Sequence, residues 1–262
     1  MGHIIAVTNQ KGGVGKTTTA VNVAACLAAA RKKTLLIDMD PQGNAGSGVG
    51  VSARDGQPSI YEVLVDSLDP AEALRKTFIE NLHLLPASID LVGAEMEMID
   101  FDDRAYRLRN KIMPLAEDYE YIIIDSPPSL GLLTLNVLTC TRQVLVPVQS
   151  EYYALEGLTA LMNTIERIRG SLNPDLGLLG LVITMYDGRT NLAQQVFEEV
   201  KRVFGDKVFP TIIARNIRLS ESTSFGQPVI FYDLKSRGAQ DYIKLCEEIV
   251  HVCEKTGART GT

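Results

Sequence analysis

The chain has 262 residues, 45% of them apolar and 22% charged, enough for one large buried core without an internal boundary. A net charge of -6 and a pI of about 5.2 exclude a global field that would gather nucleic acid or acidic lipid, so either would need a local patch. Four scattered cysteines (Cys26, Cys140, Cys246, Cys253) form no C-x-x-C pair and meet few histidines, which predicts buried reduced thiols rather than a disulfide or metal framework.

The first ten residues, MGHIIAVTNQ, carry no basic n-region or cleavage site, and Ala6 stands where a myristoylation motif at Gly2 needs Ser or Thr. With no apolar run of roughly 18 residues, a soluble cytoplasmic protein is expected. The apolar run at 3 to 9 reads as a strand, and NQKGGVGKTTT follows it. This resembles the phosphate-binding pattern G-x-x-x-x-G-K-[ST], but Gln10 occupies the first position and a second lysine, Lys11, precedes the expected Lys16. Gly12, Gly13, Val14 and Gly15 let successive N-H groups curl toward an anion, and a helix over 16 to 30, beginning with Thr17 and Thr18, offers its N-terminus. Lys16 adds a cation for β and γ phosphates, and the Thr17 hydroxyl is a Mg²⁺ ligand.

A strand at 34 to 40 ends in Asp38 and Asp40. Asp40, before Pro41, suits a loop reaching a γ-phosphate and is assigned to the attacking water, with Asp38 supporting the metal; the alternative is that both hold Mg²⁺ only through water. Residues 41 to 58 read as a mobile loop. Further on come a strand at 82 to 87, a helix over 102 to 117 and a strand at 121 to 125. The last of these ends in Asp125, a Walker B type Mg²⁺ contact or else a turn cap. Strands at 143 to 149 and 180 to 185 alternate with helices over 154 to 169, 191 to 204 and 236 to 254. This pattern predicts a doubly wound α/β fold with a mainly parallel sheet, in one domain over 1 to 255 and a flexible tail over 256 to 262.

NQKGGVGKTTTAVNVAACLA, LLIDMDPQGNA, YEYIIIDSPPSLGLLTLNVL, VPVQSEYYALEGL and ARNIRLSES together resemble the ParA/Soj family of chromosome and plasmid partition ATPases, in the MinD-like deviant Walker A class. The resemblance implies a slow ATP hydrolase, with ATP and Mg²⁺ as cofactors, that forms an ATP-sandwiched homodimer. It implies that Lys11 reaches the partner's phosphates and that Met185 and Asn216 hold adenine. It further implies non-specific DNA binding through Arg189 and Arg218, stimulation by a ParB-type centromere-binding protein, and a place on the nucleoid.

Without the family, residues 187 to 237 carry only eight basic against six acidic side chains, an ordinary solvated surface. Ser222-Thr223 and Gln227 depart from the family's usual Ala-Pro and Lys, beside Arg218. Two rivals share the loop. A MinD-like membrane-cycling ATPase needs a basic amphipathic C-terminal helix, whereas this one carries Glu247, Glu248 and Glu254, so no stable membrane association is expected. An iron-sulfur reductase of the nitrogenase iron-protein type needs two cysteines per protomer, and only Cys140 is roughly placed.

Overall fold

The computed structural model describes residues 2–51, 57–151 and 154–257. The first half contains β1 (His3–Val7), α1 (Lys16–Ala29), β2 (Thr34–Asp38), α2 (Asn44–Gly48), α3 (Ile60–Leu64), α4 (Pro70–Ala73), β3 (Arg75–Lys76), β4 (Leu82–Leu85), α5 (Leu91–Glu97), α6 (Arg107–Ile112) and β5 (Tyr121–Asp125). The second half contains α7 (Leu132–Cys140), β6 (Gln143–Gln149), α8 (Ala154–Ser171), β7 (Gly177–Tyr186), α9 (Asn191–Phe204), β8 (Val208–Ala214), α10 (Ile217–Ser224), α11 (Val229–Tyr232) and α12 (Arg237–Gly257).

The strands form one sheet in the order β3-β4-β2-β5-β1-β6-β7-β8, parallel throughout except for β3 against β4. Alternate residues of the central strands serve opposite faces. Ile5, Val7, Leu36 and Ile123 pack in one core with α1 and α12, whereas Ile4, Ala6, Leu35, Ile37, Ile122 and Ile124 pack with residues of α3, α5, α6 and α7. A third cluster joins β6, β7 and β8 to α8 and α9. Burial on both faces explains why these strands read as unbroken apolar runs.

The doubly wound expectation is met, and the boundaries move for local reasons. β1 and β2 stop at Val7 and Asp38, two residues before the expected ends, because the chain turns there into phosphate-facing loops. The stretch 102 to 117 is not one helix. α6 ends at Ile112 and a 3-10 turn starts at Pro114, whose missing N-H and ring disfavour continuing an α-helix. Within 41 to 58, expected as a mobile loop, Asn44–Gly48 is helical, and residues 52 to 56 lie outside the described residues. Of the expected tail, Thr256 and Gly257 continue α12, and 258 to 262 lie outside the described residues.

All four cysteines are free and buried, as expected; burial pushes the Cys140 thiol up to about 12. Among the described residues, no helix is long and apolar enough to cross a membrane.

Candidate active site

β1 lies between β5 and β6, so its carboxyl end opens where the strand order reverses, the crevice in which α/β sheets bind ligands. The loop leaving it reaches α1 through Gly13 and Gly15, at φ +75° and +86°, left-handed conformations that glycine adopts without a Cβ penalty. Gly15 is the N-cap of α1 and supplies no side-chain cap, so the first-turn amides face outward with no side-chain acceptor. Around Gly12 and Gly13 even an added Cβ would meet nothing within 4 Å, and the cradle is open. Val14 fixes the loop from below: its side chain is buried and its carbonyl accepts from the Thr184 hydroxyl at 2.8 Å.

Lys16 is buried at 7% exposure, and its Nζ donates to the Lys11 carbonyl at 3.2 Å, curled over the cradle. Burial lowers its pKa, and Asp125 and Asp40 oppose that shift. Asp125 ends β5, level in register with Asp38 at the end of β2, so the two carboxyls stand side by side. Burial first, then the charge of Asp38, raises Asp125 well above the usual carboxylate range, with the nearby Thr17 hydroxyl opposing. Neither Asp125 oxygen has a well-formed hydrogen bond among the described residues. A buried polar group without a partner is costly, and this one faces the phosphate cradle beside Thr17 and Lys16.

Asp38, beside Asp125 at the end of β2, is fully buried and held by backbone amides. Its Oδ1 accepts from the Asp40 amide at 3.1 Å, and its Oδ2 accepts from the Ala45 and Gly46 amides at 2.9 and 3.2 Å. Burial pushes it up to about 7 against the pull of those amides. These contacts make Asp38 the fastener of the loop that carries Asp40. Asp40 itself is half-buried, and its Oδ1 accepts from the Gln42 amide at 3.0 Å.

A cavity of about 400 Å³ adjoins the cradle, with Gly15 and Thr18 on one wall and Met185, Asn216 and Tyr242 among the others. Both residues that the resemblance assigned to adenine therefore line one cavity beside the phosphate loop. Met185 holds a left-handed backbone at φ +50°, rare outside glycine and characteristic of functional sites. Asn216 caps α10, its Oδ1 accepting from the Arg218 amide at 2.8 Å, which leaves the side-chain NH₂ to donate.

Lys11 turns away from this cradle. Its ammonium pairs with Glu151, just past β6, a partner that sequence reasoning missed; only the position of Glu151 at a strand's carboxyl end could have marked it.

Arg189 and Arg218 lie outside the cavity's lining. Arg189 is 89% exposed and forks onto Asp187, whose carboxyl the Arg189 hydrogen bonds hold down at about 2. Arg218 donates to Glu221 at 2.8 Å and approaches Asp233 at 3.4 Å. Each is thus held by carboxylates within its own chain.

The buried state of Asp125 gives a test. In the absence of ligand it stays protonated in the fold at pH values where the unfolded chain, titrating at about 4, is ionised. The folded state then binds more protons, so stability falls as pH rises above that value. Asp125→Asn does not titrate. In chelator its melting temperature should exceed wild type by a gap that widens as pH rises above about 4, the range in which the unfolded carboxyl ionises and the folded one does not. Thermal melts across that range measure it, and a pH-independent gap would contradict the protonated assignment.

A phosphate-binding loop on the reversing strand, followed by a helix whose amides are free and faced by two carboxylates, defines a P-loop nucleoside-triphosphatase, here with the second lysine of the deviant Walker A class. A family model described as AAA domain matches residues 2–178. The chain is 53% identical over 249 residues to the sporulation initiation inhibitor protein Soj of Bacillus subtilis, covering 95% of this chain and 98% of that one. It is 53% identical over 250 residues to the chromosome partitioning protein ParA of Myxococcus xanthus, covering 95% and 88%. Among solved structures, cobyrinic acid a,c-diamide synthase of Mycobacterium smegmatis with bound ADP and magnesium superposes with a TM-score of 0.83 at 37% identity, covering 94% and 93%. The chain belongs to the ParA/Soj family.

Proposed function

We propose that this protein is a DNA-partition ATPase: it binds ATP with Mg²⁺, closes into an ATP-sandwiched homodimer that coats DNA without sequence preference, and lets go on hydrolysis. The observation that carries the ATPase part is the buried Asp125 carboxyl, with no well-formed hydrogen bond and with Thr17 and Lys16 as its neighbours at the cradle. A buried acid at that position, ionised when a cation arrives, fits a hydrated cation. Mg²⁺ takes one or two protein ligands and fills the rest of its shell with phosphate oxygens and water, and when bound it neutralises charge on the phosphates. Thr17 would hold it directly and Asp125 through water. Lys16 and the amides that follow Gly12, Gly13 and Gly15 bind and orient the phosphates, with Thr18 beside them. The 400 Å³ cavity takes the base between Met185 and Asn216. Asp40 orients the attacking water, Asp38 keeps its loop in place, and Lys11 is supplied to the neighbouring protomer's phosphates.

DNA contact through Arg189 and Arg218 would exchange their carboxylate partners for phosphates, and dimerisation doubles those contacts on one face. ATP then gates DNA affinity by avidity. The names of the relatives support the partition role; a ParB-type centromere-binding partner and a cytoplasmic protein on the nucleoid complete the proposal. The single folded unit over 1 to 255 belongs to the same reading. Anisotropy titrations of a random-sequence duplex with ATP, ADP or no nucleotide test it. Binding at least about tenfold tighter with ATP is expected, and equal affinity with and without ATP would overturn the gating.

A further inference from the structure

We infer that Glu151 is a positioning residue that keeps Lys11 within its own protomer until another protomer's nucleotide takes it; this rests on the reading of Lys11 as a cation supplied in trans. The two residues are 140 positions apart, yet the sheet brings them together, because β1 and β6 are neighbours. The backbone on the lysine side is fixed: the Lys11 amide donates to Asn9 Oδ1 at 3.0 Å, and Asn9 Nδ2 donates to the Pro147 carbonyl at 2.8 Å. Lys11 can therefore change partners by side-chain rotation alone.

The immediate neighbours of the pair carry a second signal. Gln10 Nε2 and Ser150 Oγ, one beside each member, are buried with no hydrogen-bond partner among the described residues. Buried polar groups are rarely left so, and these two lie directly beside the Lys11–Glu151 pair.

The pair is weak enough to exchange. Lys11 and Glu151 side chains are 38% and 47% exposed, and a surface pair of this kind is screened and worth at most roughly fivefold in an equilibrium constant. A triphosphate offers Lys11 more negative charge than one carboxylate does. Closing a symmetric dimer breaks two such pairs, so together they raise its dissociation constant by up to about 25-fold. Glu151 thereby withholds Lys11 from unproductive contacts and makes closure depend on the triphosphate.

The test is the dimer dissociation constant of the full chain with the β,γ-imido analogue of ATP, measured by sedimentation in low and high salt. Glu151→Gln is expected to tighten the dimer by about 5- to 25-fold at low salt, with the difference shrinking at high salt, whereas Glu151→Asp stays near wild type. In a Lys11→Ala background, Glu151→Gln should change nothing, since the group it restrains is gone. An unchanged or weakened dimer for Glu151→Gln, with Lys11→Ala still disruptive, would overturn the role of Glu151 and leave the trans role of Lys11 standing. A Lys11→Ala protein that dimerises and hydrolyses ATP like wild type would overturn both.

Discussion

Asp40→Ala is expected to leave the protein bound to DNA in ATP, with hydrolysis reduced by about 10²- to 10⁴-fold, the range for loss of a positioned general base. The separation of roles between the two acids that end the β2 segment makes this a clean substitution. Asp38, not Asp40, accepts from the Ala45 and Gly46 amides, so the loop keeps its main fastening when the Asp40 side chain is removed. Within the chain, the substitution frees the Gln42 amide, which donates to Asp40 Oδ1 at 3.0 Å. Lys16, Thr17 and the amides of the cradle are untouched, so ATP binding should persist. Phosphate release and dissociation from a random duplex, followed in the same reaction, measure the two effects together. Release from DNA as fast as wild type would remove Asp40 from the water-orienting role.

Arg218→Ala is expected to abolish stable DNA binding while sparing ATP turnover without DNA. Arg218 stands on α10, exposed, and its guanidinium is held by Glu221 and Asp233. Removing it takes two phosphate contacts from a dimer. With Arg189 and Arg218 each neutralising one phosphate, the wild-type dimer makes about four contacts and log K should fall with log salt at a slope of about -3.6. The variant should show a slope of about -1.8 and an affinity lower by on the order of 10². Gln227 stands where the resemblance leads one to expect Lys, one cation fewer beside Arg218, so each remaining arginine counts for more. Salt titrations of both proteins in ATP decide it, and parallel slopes would place the DNA contacts elsewhere.

The central sheet and the phosphate loop were legible because their signals are local. Strands buried on both faces read as continuous apolar runs, and the Gly15-Lys16-Thr17 turn into α1 is written in adjacent residues. α7 was less legible: LLTLNVLTC is buried nearly all round, so it carries no amphipathic period. β8 was missed because Pro210 interrupts it, tolerated only because β8 is an edge strand. The contacts of Asp38 and Glu151 were beyond reach for a different reason. Whether a carboxylate faces a backbone amide, a lysine or a cation depends on residues far away in the chain, such as the Lys11 that β1 brings beside Glu151.

The sheet's two margins bear on how such a protein can assemble. At one, β3 is only two residues long and runs antiparallel; at the other, β8 presents Pro210 to solvent. Short strands and proline both deny a new strand the ladder it would need. Neither margin therefore offers a second molecule a ready ladder for strand pairing, which leaves helices and loops as the surfaces through which copies of this chain would meet.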